Sequence, residues 1–180
     1  MKILSIDCAY KTLGYCVIED DDLSLNILEY GVKDILECKI KDSCQYHRMS
    51  KIKEFLEEIF KRHEIIDLVL LEKQPKCMQQ INSEVQIGIN MFMTSMHSSI
   101  KTEEIDAKIK LKLVDDVIKR IDMKGRTSHD KNKNYVLTLF NKYKIQNGIK
   151  TDGIKPKLEN NLADAFMQYV AWKKFRKPAN

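Results

Sequence analysis

Residues 65–71 read Ile-Ile-Asp-Leu-Val-Leu-Leu, seven positions with one polar side chain, and the run stops at Glu72. A stretch so uniformly apolar has no polar face to offer water. It therefore suits a central strand covered by helices on both sides. The rest of the chain supplies the cover. Residues 45–63 place Met49, Ile52, Phe55, Leu56, Ile59 and Phe60 at helical spacing, and a final helix over 159–175 carries Leu162, Ala163, Phe166, Tyr169, Val170 and Trp172 on one side. A further helix is expected over 78–100, with Met91, Met93 and Met96 on or near its buried side. Two more fit over 114–121 and 135–143.

Other segments read as strands. Residues 3–6 are apolar apart from Ser5 and end at Asp7, residues 13–18 form a second run, and Leu23, Leu25, Ile27, Tyr30 and Val32 recur mostly at spacing two. Ile105, Ala107, Ile109, Leu111 and Leu113 alternate and predict a fifth strand over 103–113. Glu19-Asp20-Asp21-Asp22 reads as a solvated hairpin turn. Residues 123–132 and 147–156 are polar enough to be loops. The order predicts one mixed α/β domain over 1–180.

Composition excludes several classes. With 43% hydrophobic residues, 6 Gly and 3 Pro, disordered, collagen-like and low-complexity chains are ruled out. A carboxylate at position 7 leaves no room for a signal-peptide core. The five cysteines are odd in number and form no CxxC pair, which favours reduced thiols in a cytosolic-type compartment and offers no zinc-ligand spacing. The net charge of +5 permits a nucleic-acid partner without requiring one. It conceals an uneven distribution, because the first 60 residues hold 12 acidic against 8 basic side chains.

Three acids occupy suggestive places. Asp7 ends the first strand, Glu72 ends the central strand, and Asp164 lies among Leu162, Ala163, Ala165 and Phe166 on the inner side of the last helix. If the first and fourth strands lie side by side in parallel, Asp7 and Glu72 meet at their carboxyl ends. Carboxylates gathered there repel one another unless a cation neutralises them. Mg²⁺, a hard ion satisfied by one or two carboxylates plus a phosphate, is the natural choice.

Four blocks of sequence carry a resemblance. Ile3-Leu4-Ser5-Ile6-Asp7 with Leu13-Gly14-Tyr15, then Val69-Leu70-Leu71-Glu72-Lys73-Gln74-Pro75, then Asp130-Lys131-Asn132-Lys133, then Lys157 to Phe166 with its Asn161-Leu162-Ala163-Asp164 core, resemble in order the motifs of the RuvC-type Holliday junction resolvases. The branch of poxviruses and related large DNA viruses is the most similar. The resemblance implies an RNase H-like mixed five-stranded sheet with helices on both faces. It also implies a nuclease that resolves four-way DNA junctions by paired nicks, using two Mg²⁺ ions for which Mn²⁺ substitutes. Asp7, Glu72, Asn161 and Asp164 take the metal-ligand positions, and Lys133 lies near the scissile phosphate, with Lys131 as the alternative. One position departs: the family pattern has Asp where this chain has Asn161. An amide brings an oxygen but no charge, so the second ion is expected to be held less well and the site to be weakened or inactive.

DNA binding is expected from phosphate contacts by Lys73, Lys76, Lys108, Lys110, Lys131 and Lys133, with Lys112 sharing a strand face with Lys108 and Lys110. A basic tail of Lys173, Lys174, Arg176 and Lys177 would add to them. A junction has two symmetric cut points, so a homodimer is expected, with the Met-rich helix over 78–100 as one choice of interface. Other RNase H-fold nucleases and a non-catalytic branched-DNA-binding protein are the alternatives. An actin-like ATPase is disfavoured by the lack of a glycine-rich phosphate loop.

Overall fold

The computed structural model describes residues 1–21, 25–74, 80–113, 127–147 and 156–175. Three strands come first, β1 (Lys2–Asp7), β2 (Leu13–Asp20) and β3 (Leu25–Lys33), followed by helix α1 (Gln45–Arg62). Strand β4 (Leu68–Lys73), helix α2 (Gln80–Met96) and strand β5 (Lys101–Asp106) come next. A 3-10 helix (Ala107–Leu113) then precedes α3 (Ser128–Gln146) and α4 (Pro156–Phe175). The sheet order is β3-β2-β1-β4-β5. The first three strands are antiparallel, whereas β4 runs parallel to both β1 and β5. This is the mixed five-stranded sheet expected, with β1 and β4 paired at its centre.

Strand periodicity divides the core into two layers. Leu4, Ile6, Val17, Val69 and Leu71 pack against Ile52, Phe55, Leu56 and Ile59 of α1 and Val85, Ile89 and Met93 of α2. Ile3, Cys16, Ile18, Leu68 and Leu70 face the other way, onto Val136 and Phe140 of α3 and Leu162, Ala163, Phe166, Tyr169 and Trp172 of α4. Each fully buried large side chain stabilises the fold by about 1.5–3 kcal/mol relative to exposure, and β4 contributes to both layers. The alternation then dictates that Asp7, two residues beyond Ser5, and Glu72, two beyond Leu70, project on the α4 side.

Several expectations are corrected. The fifth strand ends at Asp106, and residues 107–113 form a 3-10 helix, whose close turns still let Ile109, Leu111 and Leu113 pack on the α4-side core. Lys108, Lys110 and Lys112 therefore do not share a strand face. The acidic turn is not wholly solvated, because Asp20 belongs to β2 and is buried. It accepts hydrogen bonds from Tyr169 Oη at 2.8 Å and Lys173 Nζ at 2.6 Å, so Lys173 is committed to the fold. Of the methionines on α2, only Met93 is buried, while Met91 and Met96 are exposed; the buried stripe runs through Val85, Ile89, Phe92 and Met93, and Met91 falls off it. Helix α3 begins at Ser128, inside the stretch expected as a loop. Thr127 caps it, accepting from the Asp130 N–H while Asp130 accepts from the Thr127 N–H. Ile65 is exposed and the central strand starts only at Leu68. Residues 114–121, Lys76, Arg176 and Lys177 lie outside the described residues. Among the described residues no helix is long and apolar enough to cross a membrane.

Candidate active site

Ile6 of β1 stands opposite Leu71 of β4 in the parallel ladder, so the next step along both strands brings Asp7 and Glu72 to one end of the sheet on one face. Helix α4 crosses that face. The small side chains of Ala163 and Ala165, both fully buried, let it approach closely, and the Ser5 hydroxyl donates to the Ala165 carbonyl at 2.7 Å. Asp164, between those alanines, is thereby delivered to the same end.

The centre of the cluster is a residue that the sequence places only among the DNA-binding lysines. Lys110 is 4% exposed, and its ammonium donates to Glu72 Oε2 at 2.5 Å and to Asp164 Oδ1 at 2.7 Å. Burial works against its charge, but Asp164, Glu72 and Asp7 together outweigh that and hold it firmly protonated. Its neighbours feel the opposite pressure. The Asp7 carboxyl is pushed well above the ordinary carboxylate range by burial and by repulsion from Glu72 and Asp164, with Lys110 and Lys133 drawing it partly back. The pocket is therefore an acidic triad that binds positive charge. Lys133, on the first turns of α3, is close enough to act on Asp7 through space.

The fourth expected position behaves differently. The Asn161 side-chain amide donates to the Thr12 carbonyl at 2.6 Å and to Thr12 Oγ1 at 2.9 Å. Thr12 ends the turn between β1 and β2. The other face of that turn is held by the buried Tyr10, whose hydroxyl lies 3.4 Å from Glu84 Oε2 and whose carbonyl accepts from the Ile35 N–H at 2.9 Å. Arg48 in turn donates to both oxygens of Glu84, at 2.8 and 3.2 Å.

The expected DNA-contacting lysines divide. Lys73, Lys108, Lys112 and Lys131 are exposed and Lys133 is half-buried near the acids, whereas Lys110 is consumed by the pocket itself. The signal that marks Lys110 is not in its own neighbourhood. It lies in two carboxylates 38 and 54 residues away, which no local pattern couples to it.

Carboxylate oxygens are the donors that a hard divalent cation takes. Among the described residues no three His, Cys, Asp or Glu side chains stand close enough to hold a metal, and the Lys110 ammonium supplies the opposing charge between two of them.

No protein-family model matches the chain, and no curated protein matches it significantly. Solved structures do. The fowlpox virus resolvase in complex with substrate Holliday junction DNA superposes with a TM-score of 0.65 at 17% identity, covering 98% of this chain and 100% of that one. Thermus thermophilus RuvC in complex with a Holliday junction substrate gives 0.60 at 13% identity, covering 98% and 96%. The yeast mitochondrial Holliday junction resolvase gives 0.55 at 16% identity, covering 96% and 80%. Sheet order, helix placement and these superpositions agree, and the chain has the RNase H-like fold of the junction resolvases.

Proposed function

We propose that this protein is a divalent-metal-dependent endonuclease that resolves four-way DNA junctions by paired nicks. The observation that carries the reading is the gathering of Asp7 with Glu72 and Asp164, the last two paired to the buried ammonium of Lys110. Three carboxylates assembled at the carboxyl end of parallel strands, on a fold shared with junction resolvases, form a site built for cations and phosphates. The poxvirus branch and a role in viral DNA recombination or replication are favoured by the Glu-Lys-Gln-Pro block that begins at Glu72, inside β4. The cysteine pattern favours the cytoplasm.

Mg²⁺, when bound, would activate water and stabilise the leaving oxygen of the phosphodiester, with Mn²⁺ as its substitute. Asp7, Glu72 and Asp164 would hold it. Lys133, near enough to Asp7 to act on its charge, supplies charge to the phosphate as negative charge builds on it. Lys110 ties Glu72 to Asp164 and fixes their spacing. Lys73, Lys108 and Lys131, exposed around the site, contact DNA phosphates, giving salt-dependent affinity with little base readout. A homodimer places two sites on the two cut points, and the outward-facing Ile87 and Met91 of α2 offer apolar surface for it.

A second reading, a branched-DNA-binding protein without cleavage, draws support from the neutral residue at position 161. A panel of four-way junction, flap and RNA–DNA hybrid with Mg²⁺ or Mn²⁺ separates the possibilities, with Glu72→Gln as the inactive control. Paired nicking of the junction by the unmodified chain, lost in Glu72→Gln, is expected. Preference for the hybrid would overturn the assignment, and tight junction binding without nicking would favour the second reading.

A further inference from the structure

We infer that Asn161 is not an impaired metal ligand but a positioning residue, a latch that fixes the strand bearing Asp7 against the helix bearing Asp164. The inference rests on the nuclease reading only for what the site holds.

The chemistry of the contact selects an amide. The Thr12 carbonyl is an acceptor only, so the group 2.6 Å from it must donate. The NH₂ of Asn161 does so, and a second bond at 2.9 Å reaches the Thr12 hydroxyl oxygen. An ionised aspartate there would face the carbonyl with a lone pair and no proton. The residue that would complete a four-acid site would thus break the contact this chain makes.

The backbone of Asn161 is seated just as tightly. Gly14 pairs with Asp7 across β1 and β2 and therefore lies on the α4 side of the sheet. A Cβ built there would collide with the Asn161 carbonyl. The helix backbone thus rests on the sheet beside Asp7, and the amide grips the end of the turn that leaves it. Tyr10, held by Glu84 and Ile35, pins the opposite face of that turn. Asp164 follows Asn161 by about one helical turn, so this anchoring sets the span between Asp7 and Asp164.

The test compares the unmodified chain with Asn161→Ala, Asn161→Asp and Thr12→Val, measuring melting temperature in EDTA and Mn²⁺ affinity by calorimetry. A latch predicts melting lowered by about 2–8 °C in both Asn161 variants. It also predicts Mn²⁺ affinity weakened roughly 10–100-fold, as for other residues that orient ligands from behind. The decisive sign is Asn161→Asp, which should bind Mn²⁺ more weakly despite its added charge. Thr12→Val removes only the hydroxyl acceptor, so it should lower melting in the native background and have no effect beside Asn161→Ala. Tighter Mn²⁺ binding and native melting in Asn161→Asp would overturn the inference. So would reduced melting with unchanged Mn²⁺ affinity, which marks a merely structural contact. If neither Asn161 variant folds, an unchanged melting temperature and Mn²⁺ affinity in Thr12→Val overturn it. Absence of Mn²⁺ uptake by the unmodified chain sinks both readings. A chain that binds Mn²⁺ and responds at position 161 as described, yet cuts no junction, sinks the nuclease reading alone.

Discussion

Replacing Lys110 by Met keeps a long unbranched side chain and removes the charge at the centre of the site. The Lys110 side chain is 5% exposed and its partners Glu72 and Asp164 are 16% and 15% exposed. Breaking a buried pair from one side costs about 3–5 kcal/mol, because the remaining charge is left uncompensated. Both carboxylates keep some contact with water, so about 2–4 kcal/mol is expected at neutral pH in EDTA. For a chain of this size that lowers the melting temperature by about 4–16 °C. The pH dependence has a definite sign. Asp7 is already held above its ordinary range by burial, Glu72 and Asp164, with Lys110 drawing it partly back, so loss of Lys110 raises it further. A carboxyl with a raised folded-state pKa binds protons better folded than unfolded, so its contribution is favourable at low pH and lost as pH rises. The deficit of Lys110→Met should therefore be largest near pH 8 and shrink toward pH 4. A hundredfold excess of Mn²⁺ over its dissociation constant adds about 2.7 kcal/mol to whichever chain binds it, so the deficit changes by the difference in affinity between the two. Urea unfolding at several pH values, with EDTA or Mn²⁺, measures all of this. A variant as stable as the native chain at pH 8 in EDTA, or a deficit indifferent to pH, would refute the account of the site as a charge-starved acidic triad.

Gly14→Ala should lower stability by about 1–3 kcal/mol or more, since the new methyl meets the Asn161 carbonyl and only a shift of α4 can relieve it; a native-like thermal melt would contradict the close seating of that helix. Glu29 accepts from Tyr15, Arg62 and His63, and these bonds outweigh its burial to hold its pKa at about 2, against 4.5. That depressed pKa makes its contribution present above about pH 4.5 and lost as pH falls toward 2. Glu29→Gln should accordingly show a shallower acid-unfolding limb than the native chain, and identical limbs would disprove the linkage. Alanine at Lys73, Lys108 or Lys131 should weaken junction binding and reduce the salt slope by about one per residue; an unchanged slope in all three would move the DNA path elsewhere.

How much of this was legible depended on whether a residue's environment was local. β1, β2, α1 and the central position of β4 followed from periodicity, and the parallel pairing that unites Asp7 with Glu72 followed from strand order. The 107–113 segment did not, because Ile109, Leu111 and Leu113 alternate as a strand would while the backbone coils. Asp20 looked like one more turn carboxylate, since Tyr169 and Lys173, which bury it, lie 149 and 153 residues away. Lys110 reads as surface charge for the same reason. The start of α3 falls in a stretch whose polar composition reads as loop, although Thr127 and Asp130 stand at capping-box spacing. The roles of the acids and of Lys133 rest on family resemblance and geometry together, and Asn161 was visible only as a departure until its partner Thr12 came into view.

The two apolar faces of β4 have a consequence for folding. Val69 and Leu71 on one side and Leu68 and Leu70 on the other are all buried, so a one-residue slip against β1 would still present hydrophobic side chains to both layers. Hydrophobicity alone discriminates poorly among such alignments. Polar contacts at the two ends of the strand make the distinction. At the start, Asp67 accepts from the Lys2 N–H at 2.6 Å and donates its own N–H to the Lys2 carbonyl at 2.8 Å. At the finish, Glu72 meets Lys110. A slip would break the first and swing Glu72 into the layer under α1 and α2, away from Lys110. Glu72, proposed to hold metal, thus also acts as an alignment mark for the strand that carries it, and neutralising it would remove one of the two marks.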